Sequence, residues 1–345
     1  MSGAGMRMSA EIAEQPSVFE AVVARRAEFA EVAALAAARR PRFALLAARG
    51  SSDHAALYAK YLIEVLLQLP AGLVSPSTTT LYGAEPDLDG VLYVTVSQSG
   101  GSPDLVEATK AARGRGALTV AVTNTPGSPL SAVAEHAVHI GAGDELAVAA
   151  TKTYTATLLT LYLLVDAARG GSGEAVADLG ELAAQTLAGT ADGVAEAVER
   201  YRTIERVVTT GRGYSSATAA EAALKLAETS YLGARAYSGA DLLHGPVAAI
   251  DASTGVVAVT SRGRGGEAMR DVVAAVRDRG ADVLAVGSAA GDVPAVQRVD
   301  VPVTAEEVAP ILEILPLQRL ALGLALARGG DPDQPRGLSK VTRTR

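Results

Sequence analysis

Residues 91–112 read VLYVTVSQSGGSPDLVEATKAA. The apolar, mostly β-branched run Val91–Val96 predicts a buried strand. Gly100 and Gly101 then turn the chain, and residues 103–115 carry the pattern of a helix opened by proline. A turn needs glycine. It does not need Ser97, Ser99 and Ser102 together at the mouth of a helix. One serine serves as an N-cap; three hydroxyls beside free N–H groups and a positive dipole end suit a bound phosphate. AARGSSDHA repeats the arrangement at residues 47–55, with Ser51 and Ser52 after a glycine.

The same grammar runs along the chain. PRFALLAARG, AGLVSPS, LTVAVTN and HAVHI read as strands, and DHAALYAKYLIEVLLQ, SPLSAVA and TKTYTATLLTLYLLVDAA as helices. Alternation of this kind predicts an α/β fold with a mainly parallel sheet. ARGGSGEAVADL at residues 168–179 interrupts it, a helical stretch continues to about residue 203, and strand–Gly turn–helix units then restart at residues 205–230 and 254–280, with ADVLAVG and VQRVDVPV as further strands. Gly50 corresponds to Gly213, an offset of 213 − 50 = 163, and Ser97 to Ser261, an offset of 261 − 97 = 164. Two separate anchors with nearly one offset indicate a duplicated unit.

Composition narrows the function. The 345 residues are 49% hydrophobic, so a sizeable core is expected rather than disorder. Aromatics are 4%, Trp is absent and the net charge is −7, which argues against nucleic acid and anionic membranes as partners. With no cysteine, disulfides, Cys-zinc sites and thiol catalysis are excluded. The opening residues have no apolar signal-peptide core, and the apolar segments at residues 155–168 and 311–327 read as buried helices; a cytoplasmic protein is expected. There is no GxxxxGK[ST], and GRGYSSA at 211–217 lacks the third glycine of a dinucleotide fingerprint, so no nucleotide cofactor is expected. His136 and His139 alternate on a strand without a third ligand, so no metal is expected.

RGSSDHA, SQSGGSPD, ELAVAATKTYTATL, EAALKLAETSYLGARAYSGADLLHGP and DPDQPRGLSKVT occur in this order, preceded by AEIAEQP. Together they resemble the double-SIS (sugar isomerase) proteins, a family that includes the isomerase domain of glucosamine-6-phosphate synthase and stand-alone glucosamine-6-phosphate deaminases. The resemblance spans residues 8–345. It implies two flavodoxin-like α/β subdomains, at 8–167 and 180–325, a tail at 326–345 that closes over the site, and a homodimer with shared active sites. It implies that Ser97, Gln98, Ser99 and Ser102, with Ser52 nearby, hold the 6-phosphate of a sugar substrate. Val148 and its neighbours would offer backbone groups, and Lys340 and Ser339 would come from the tail. The synthase has Glu where Gly101 stands and Ser where Ala150 stands; the family often has Glu at Asp241.

Glu221, Lys225 and Glu228 fall on one face of a predicted helix, at spacings of four and three. On a generic helix that is a solvated salt-bridge ladder, but here the charges are isolated among Ala and Leu. The resemblance makes Glu228 the base that moves a proton between C1 and C2, with Lys225 stabilising charge on the enediol oxygens. His244, in LLHGP, would open the sugar ring from the neighbouring subunit. An α-proton next to a carbonyl needs such a carboxylate within reach, and a phosphate anchored at the far end orients C2 against it. The chain starts at the isomerase region, so glutamine-dependent synthesis is not expected. Three readings stay open: deamination of glucosamine 6-phosphate to fructose 6-phosphate and ammonia, loss of water from N-acetylglucosamine 6-phosphate, and a non-catalytic sugar-phosphate sensor.

Overall fold

In the computed structural model, which describes residues 3–340, the apolar runs become ten short strands in two all-parallel sheets. The first holds β1 (Phe43–Ala47), β2 (Ala71–Leu73), β3 (Val91–Val96), β4 (Leu118–Thr123) and β5 (His136–His139), in the order β2-β1-β3-β4-β5. The second holds β6 (Arg206–Gly211), β7 (Gly233–Ser238), β8 (Thr254–Val259), β9 (Asp282–Val286) and β10 (Gln297–Val299), in the order β10-β9-β8-β6-β7. Read from β7, the second order is that of the first sheet, so the two sheets share one flavodoxin-type topology. β3 lies between β1 and β4, pairing Val94 with Leu46 and Val120. A strand covered on both faces needs continuous apolar sequence, which β4 and β8 show by being buried at every position.

The chain divides into two compact units. The first-sheet unit comprises Ser17–Glu145, Lys152–Ala177 and residues 339–340; the second-sheet unit comprises residues 3–16, Leu146–Thr151 and Asp178–Leu338. The last five residues of the expected tail, 341–345, lie outside the described residues. In the first-sheet unit, the helix Lys152–Ala168 packs on Arg26–Ala38 and Ser51–Leu66. It is buried on nearly every side, its leucines packed together with threonines such as Thr155 and Thr157 whose hydroxyls bond carbonyls of the chain. In the second-sheet unit, Ala309–Ala327 is the one described helix long and apolar enough to cross a membrane. It is instead a core helix: 78% of that window is buried, against Ser215–Ser230 and Ala191–Tyr201.

One strand has no counterpart in the sequence reading. β7, GARAYS, pairs with β6 alone at the sheet edge, and none of its residues is fully buried. An edge strand needs no continuous apolar run, so it lacks the signal that marks the others.

Tyr201 ties the second sheet to the helix Ala191–Tyr201. Its buried hydroxyl donates to the carbonyls of Asp282 (2.8 Å) and Val256 (3.2 Å), and burial raises its pKa far above the normal tyrosine range. Tyr201→Phe strands those carbonyls and is expected to cost about 1–2 kcal/mol, read as a lowered urea midpoint with unchanged slope.

Candidate functional site

In the first-sheet unit the serine turn follows β3 at its C-terminal end, where a parallel sheet presents its loops. β4 fixes the turn: the Ser97 N–H donates to Val122 O (3.0 Å), and Gln98 O accepts from the Asn124 N–H (3.0 Å) and the Thr123 hydroxyl (3.2 Å). Gly100 has φ +58°, and a Cβ there would collide with Ser128, so only glycine fits. Gly101 is different. A Cβ would meet nothing closer than the Ser99 hydroxyl at 3.7 Å, so the backbone does not demand glycine at that position.

The hydroxyls do not behave as N-caps. Ser102 is the N-cap residue of the helix Pro103–Gly114, yet its side chain makes no capping bond. Ser97 and Ser99 accept from the N–H groups of Gly100 (3.2 Å) and Gly101 (3.3 Å), within the turn itself. Ser52 is the second residue of the helix Ser51–Leu66, whose N-cap Gly50 is also at positive φ. Ser97 is buried, whereas Ser52, Gln98, Ser99 and Ser102 are half-buried.

The same unit contains a buried carboxylate that the sequence reading passed over. Glu145 accepts from the Thr153 N–H (3.1 Å) and hydroxyl (2.6 Å), and it holds the Lys340 ammonium at 3.0 Å. Lys340 is thereby docked, while Ser339 beside it is exposed.

In the second-sheet unit the helix Ser215–Ser230 carries the charged trio. Lys225 is 1% exposed, and its ammonium lies 2.6 Å from Glu228 Oε2 and 3.5 Å from Glu221 Oε1. Glu221 is fully buried; only the Glu228 side chain, 24% exposed, reaches the surface. A solvated ladder is therefore excluded. A buried ammonium requires close carboxylates, and the i+3 and i+4 positions supply them. Burial leaves Glu228 as the member of the trio able to meet a ligand.

The loop Leu146–Thr151, which contains Val148, is pinned at both ends within this unit. The buried Glu11 carboxylate accepts from the N–H groups of Leu146 and Ala147, and Gln318 donates to Thr151 O (3.2 Å) while accepting from Gln15 (2.9 Å). Val148 itself is half-buried. His244 ends the short helix Gly239–Leu243 and is exposed, its ring making no hydrogen bond to the described residues. Asp241 belongs to that helix's cap: it accepts from the Ser238 hydroxyl (2.7 Å) and its N–H donates back (3.2 Å). His139 bonds Asn124 O (3.0 Å), and the described residues contain no group of three or more His, Cys, Asp or Glu placed to hold a metal.

The duplicate turns of the second sheet are closed by their own unit. Ser215, the counterpart of Ser52 (215 − 163 = 52), donates to Glu313 at 3.1 Å, joined by Thr218 at 3.3 Å. Glu306 accepts from the N–H groups of Arg264 (3.0 Å) and Gly265 (2.7 Å), at the start of the helix Arg264–Arg277. In the second sheet a side-chain carboxylate thus takes the N–H groups at the helix start that corresponds to the serine turn of the first.

The SIS domain pattern matches residues 39–167 and 201–328, and the chain belongs to the SIS family. It is 38% identical over 316 residues to a glutamine–fructose-6-phosphate aminotransferase (isomerizing) of Pyrobaculum aerophilum, covering 86% of this chain and 52% of the relative. The chain spans about half the length of the curated relatives it matches. Among solved structures, a candidate phosphosugar isomerase from Silicibacter pomeroyi aligns with TM-score 0.87 and 34% identity, over 94% of this chain and 99% of that one. A glucosamine-6-phosphate deaminase from Thermotoga maritima aligns at 0.78 and 23% identity, over 98% and 100%, a likeness of fold.

Glu313 gives the closed half a pH signature. Burial raises its pKa to about 7, opposed by the Ser215 and Thr218 hydrogen bonds and aided by Glu306. A carboxyl raised in the folded state contributes stability below its unfolded pKa and loses it as pH climbs through the folded value. Stability is therefore expected to fall by about 3 kcal/mol between about pH 4.5 and 7 through this group. Glu313→Gln is expected to flatten that interval and to be the more stable protein at pH 8, by urea titration at both pH values.

Proposed function

We propose that this protein is an amino-sugar 6-phosphate deaminase/isomerase acting on glucosamine 6-phosphate. One observation carries the reading: a buried ammonium, Lys225, stands 2.6 Å from a carboxylate, Glu228, that remains partly open to a ligand. A carboxylate base beside a fixed positive charge suits abstraction of a proton α to a carbonyl, because the charge stabilises the oxygen that becomes negative. The names of the relatives, a fructose-6-phosphate aminotransferase and a candidate phosphosugar isomerase, support a sugar phosphate as the substrate class.

In this account the serine turn, with Ser52, Ser97, Gln98, Ser99 and Ser102, holds the 6-phosphate through hydroxyls and helix N–H groups. Val148 offers backbone groups to the sugar, and Lys340 and Ser339 complete its enclosure. His244 opens the ring by moving a proton between O1 and O5; it is exposed on its own chain, as a group that serves a partner copy would be. Glu228 takes the C2 proton of the open-chain aldehyde, and Lys225 stabilises the negative charge on O1. Returning the proton to C1 gives a C2 imine. Water adds at C2, the C–N bond breaks, and the products are fructose 6-phosphate and ammonia. A sensor would need the serines but not the buried pair.

A second reading keeps the same base and takes N-acetylglucosamine 6-phosphate as substrate. An acetylated C2 nitrogen cannot leave as ammonia. The same C2 proton loss would then expel the C3 hydroxyl as water.

Incubating the protein separately with glucosamine 6-phosphate and N-acetylglucosamine 6-phosphate distinguishes the two. The expected result is ammonia and fructose 6-phosphate from the first, by coupled assay and mass spectrometry. A product lighter by one water from the second, with no ammonia from the first, would replace deamination by dehydration.

A further inference from the structure

The comparison of the two halves points to a residue outside the serine set. Arg49 immediately precedes Gly50 and the Ser51–Ser52 turn, and its guanidinium lies 2.9 Å from Asp104 Oδ2. Asp104 is in the first turn of the helix that Ser102 begins, with its side chain 2% exposed and its Oδ1 bonded to the Leu105 N–H (2.9 Å). One ion pair therefore bridges the two hydroxyl-bearing turns. A buried carboxylate with one cationic partner is a fixed point: losing the cation leaves an uncompensated charge, so the pair holds its geometry.

The second half is the internal control. The counterpart of Arg49 is Arg212 (212 − 163 = 49), but position 104 + 164 = 268 holds Ala268, so this bridge has no equivalent. There the turns close on each other. A Cβ on Gly265, the counterpart of Gly101, would meet Arg212 O at 2.7 Å and Glu306 Oε1 at 2.9 Å, whereas one on Gly101 meets only Ser99. With the bridge the turns stand apart and Gly101 borders open space; without it the equivalent space is filled by backbone and a carboxylate.

We infer that Arg49, through Asp104, is a positioning residue that holds the two serine turns at the spacing a phosphate monoester requires. The inference rests on the reading of these turns as the phosphate site. The pair leaves the cradle's hydroxyls and N–H groups to the ligand and adds little net charge of its own. The effect of losing it should therefore appear in affinity for the phosphate end of the sugar rather than in the proton transfer.

The test is calorimetric binding of glucitol 6-phosphate, an open-chain phosphate that cannot react, to the full chain and its variants, with glucitol as control. Arg49→Ala and Asp104→Asn are each expected to weaken binding about tenfold or more, and the double variant no further, since both remove one interaction. Arg49→Lys, which keeps the charge and one N–H, is expected to recover most of the affinity. Ser99→Ala reports on the turn itself. Unchanged affinity in Arg49→Ala, with Ser99→Ala impaired, would overturn the positioning role and leave the phosphate reading standing. Independent, additive losses from Arg49→Ala and Asp104→Asn would also overturn it. No binding by the unmodified protein would remove both claims. Circular dichroism melts of each variant report the stability lost with the unpaired buried charge, and binding measured well below each melting temperature separates lost positioning from lost folding.

Discussion

A parallel sheet joined by right-handed crossovers delivers every strand C-terminus and every following helix N-terminus to one edge. That constraint governs what this chain can do. All strand pairs here are parallel, in two sheets of identical order. Each sheet therefore presents a row of turns whose N–H groups point the same way, and an anion is the ligand such a row suits. The glycines follow from this. Gly100 stands at positive φ against Ser128 because β3 must turn into its helix within a few residues.

Duplication gave the chain two such edges, and the two have different fates. In the first sheet, turn hydroxyls such as Ser102 are left without capping work, and one ion pair spans the turns. In the second, Glu306 occupies the helix end and Glu313 collects the Ser215 and Thr218 hydroxyls. A fold that favours negative charge at these positions has it supplied internally in the second half. The second half instead carries a buried ion cluster further along the helix that Ser215 begins, with Lys225 between Glu221 and Glu228. Burying three charges is costly unless they are mutually paired, and the only side chain of the three that retains exposure is the carboxylate assigned to the chemistry.

The sheets were legible in the sequence because their signal is local. Buried strands of a parallel sheet need unbroken apolar runs, and Val91–Val96 or Thr254–Val259 cannot be mistaken for much else. β7 was not legible because, as an edge strand, it carries glycine, alanine and arginine instead of an apolar run. The candidate site divides the same way. SQSGGS and the Glu221–Lys225–Glu228 spacing are contiguous patterns. Glu145, Glu11 and Glu306 gain meaning only from partners far along the chain: Lys340, the Leu146 and Ala147 amides, and the Arg264 and Gly265 amides. No spacing rule reports a contact across 195 residues, as between Glu145 and Lys340. Arg49 and Asp104 lay inside quoted motifs, yet their pairing depends on how two separate turns come together.

The central claim is that Glu228 removes the C2 proton of an open-chain amino-sugar phosphate. The most direct measurement follows the C2–H signal of glucosamine 6-phosphate by NMR in D2O, with the unmodified protein and with Glu228→Gln at saturating sugar phosphate. The account expects loss of the C2–H signal with the unmodified protein, and a bound but unchanged signal with the variant. Loss of the signal at an undiminished rate in Glu228→Gln would contradict it and require another base.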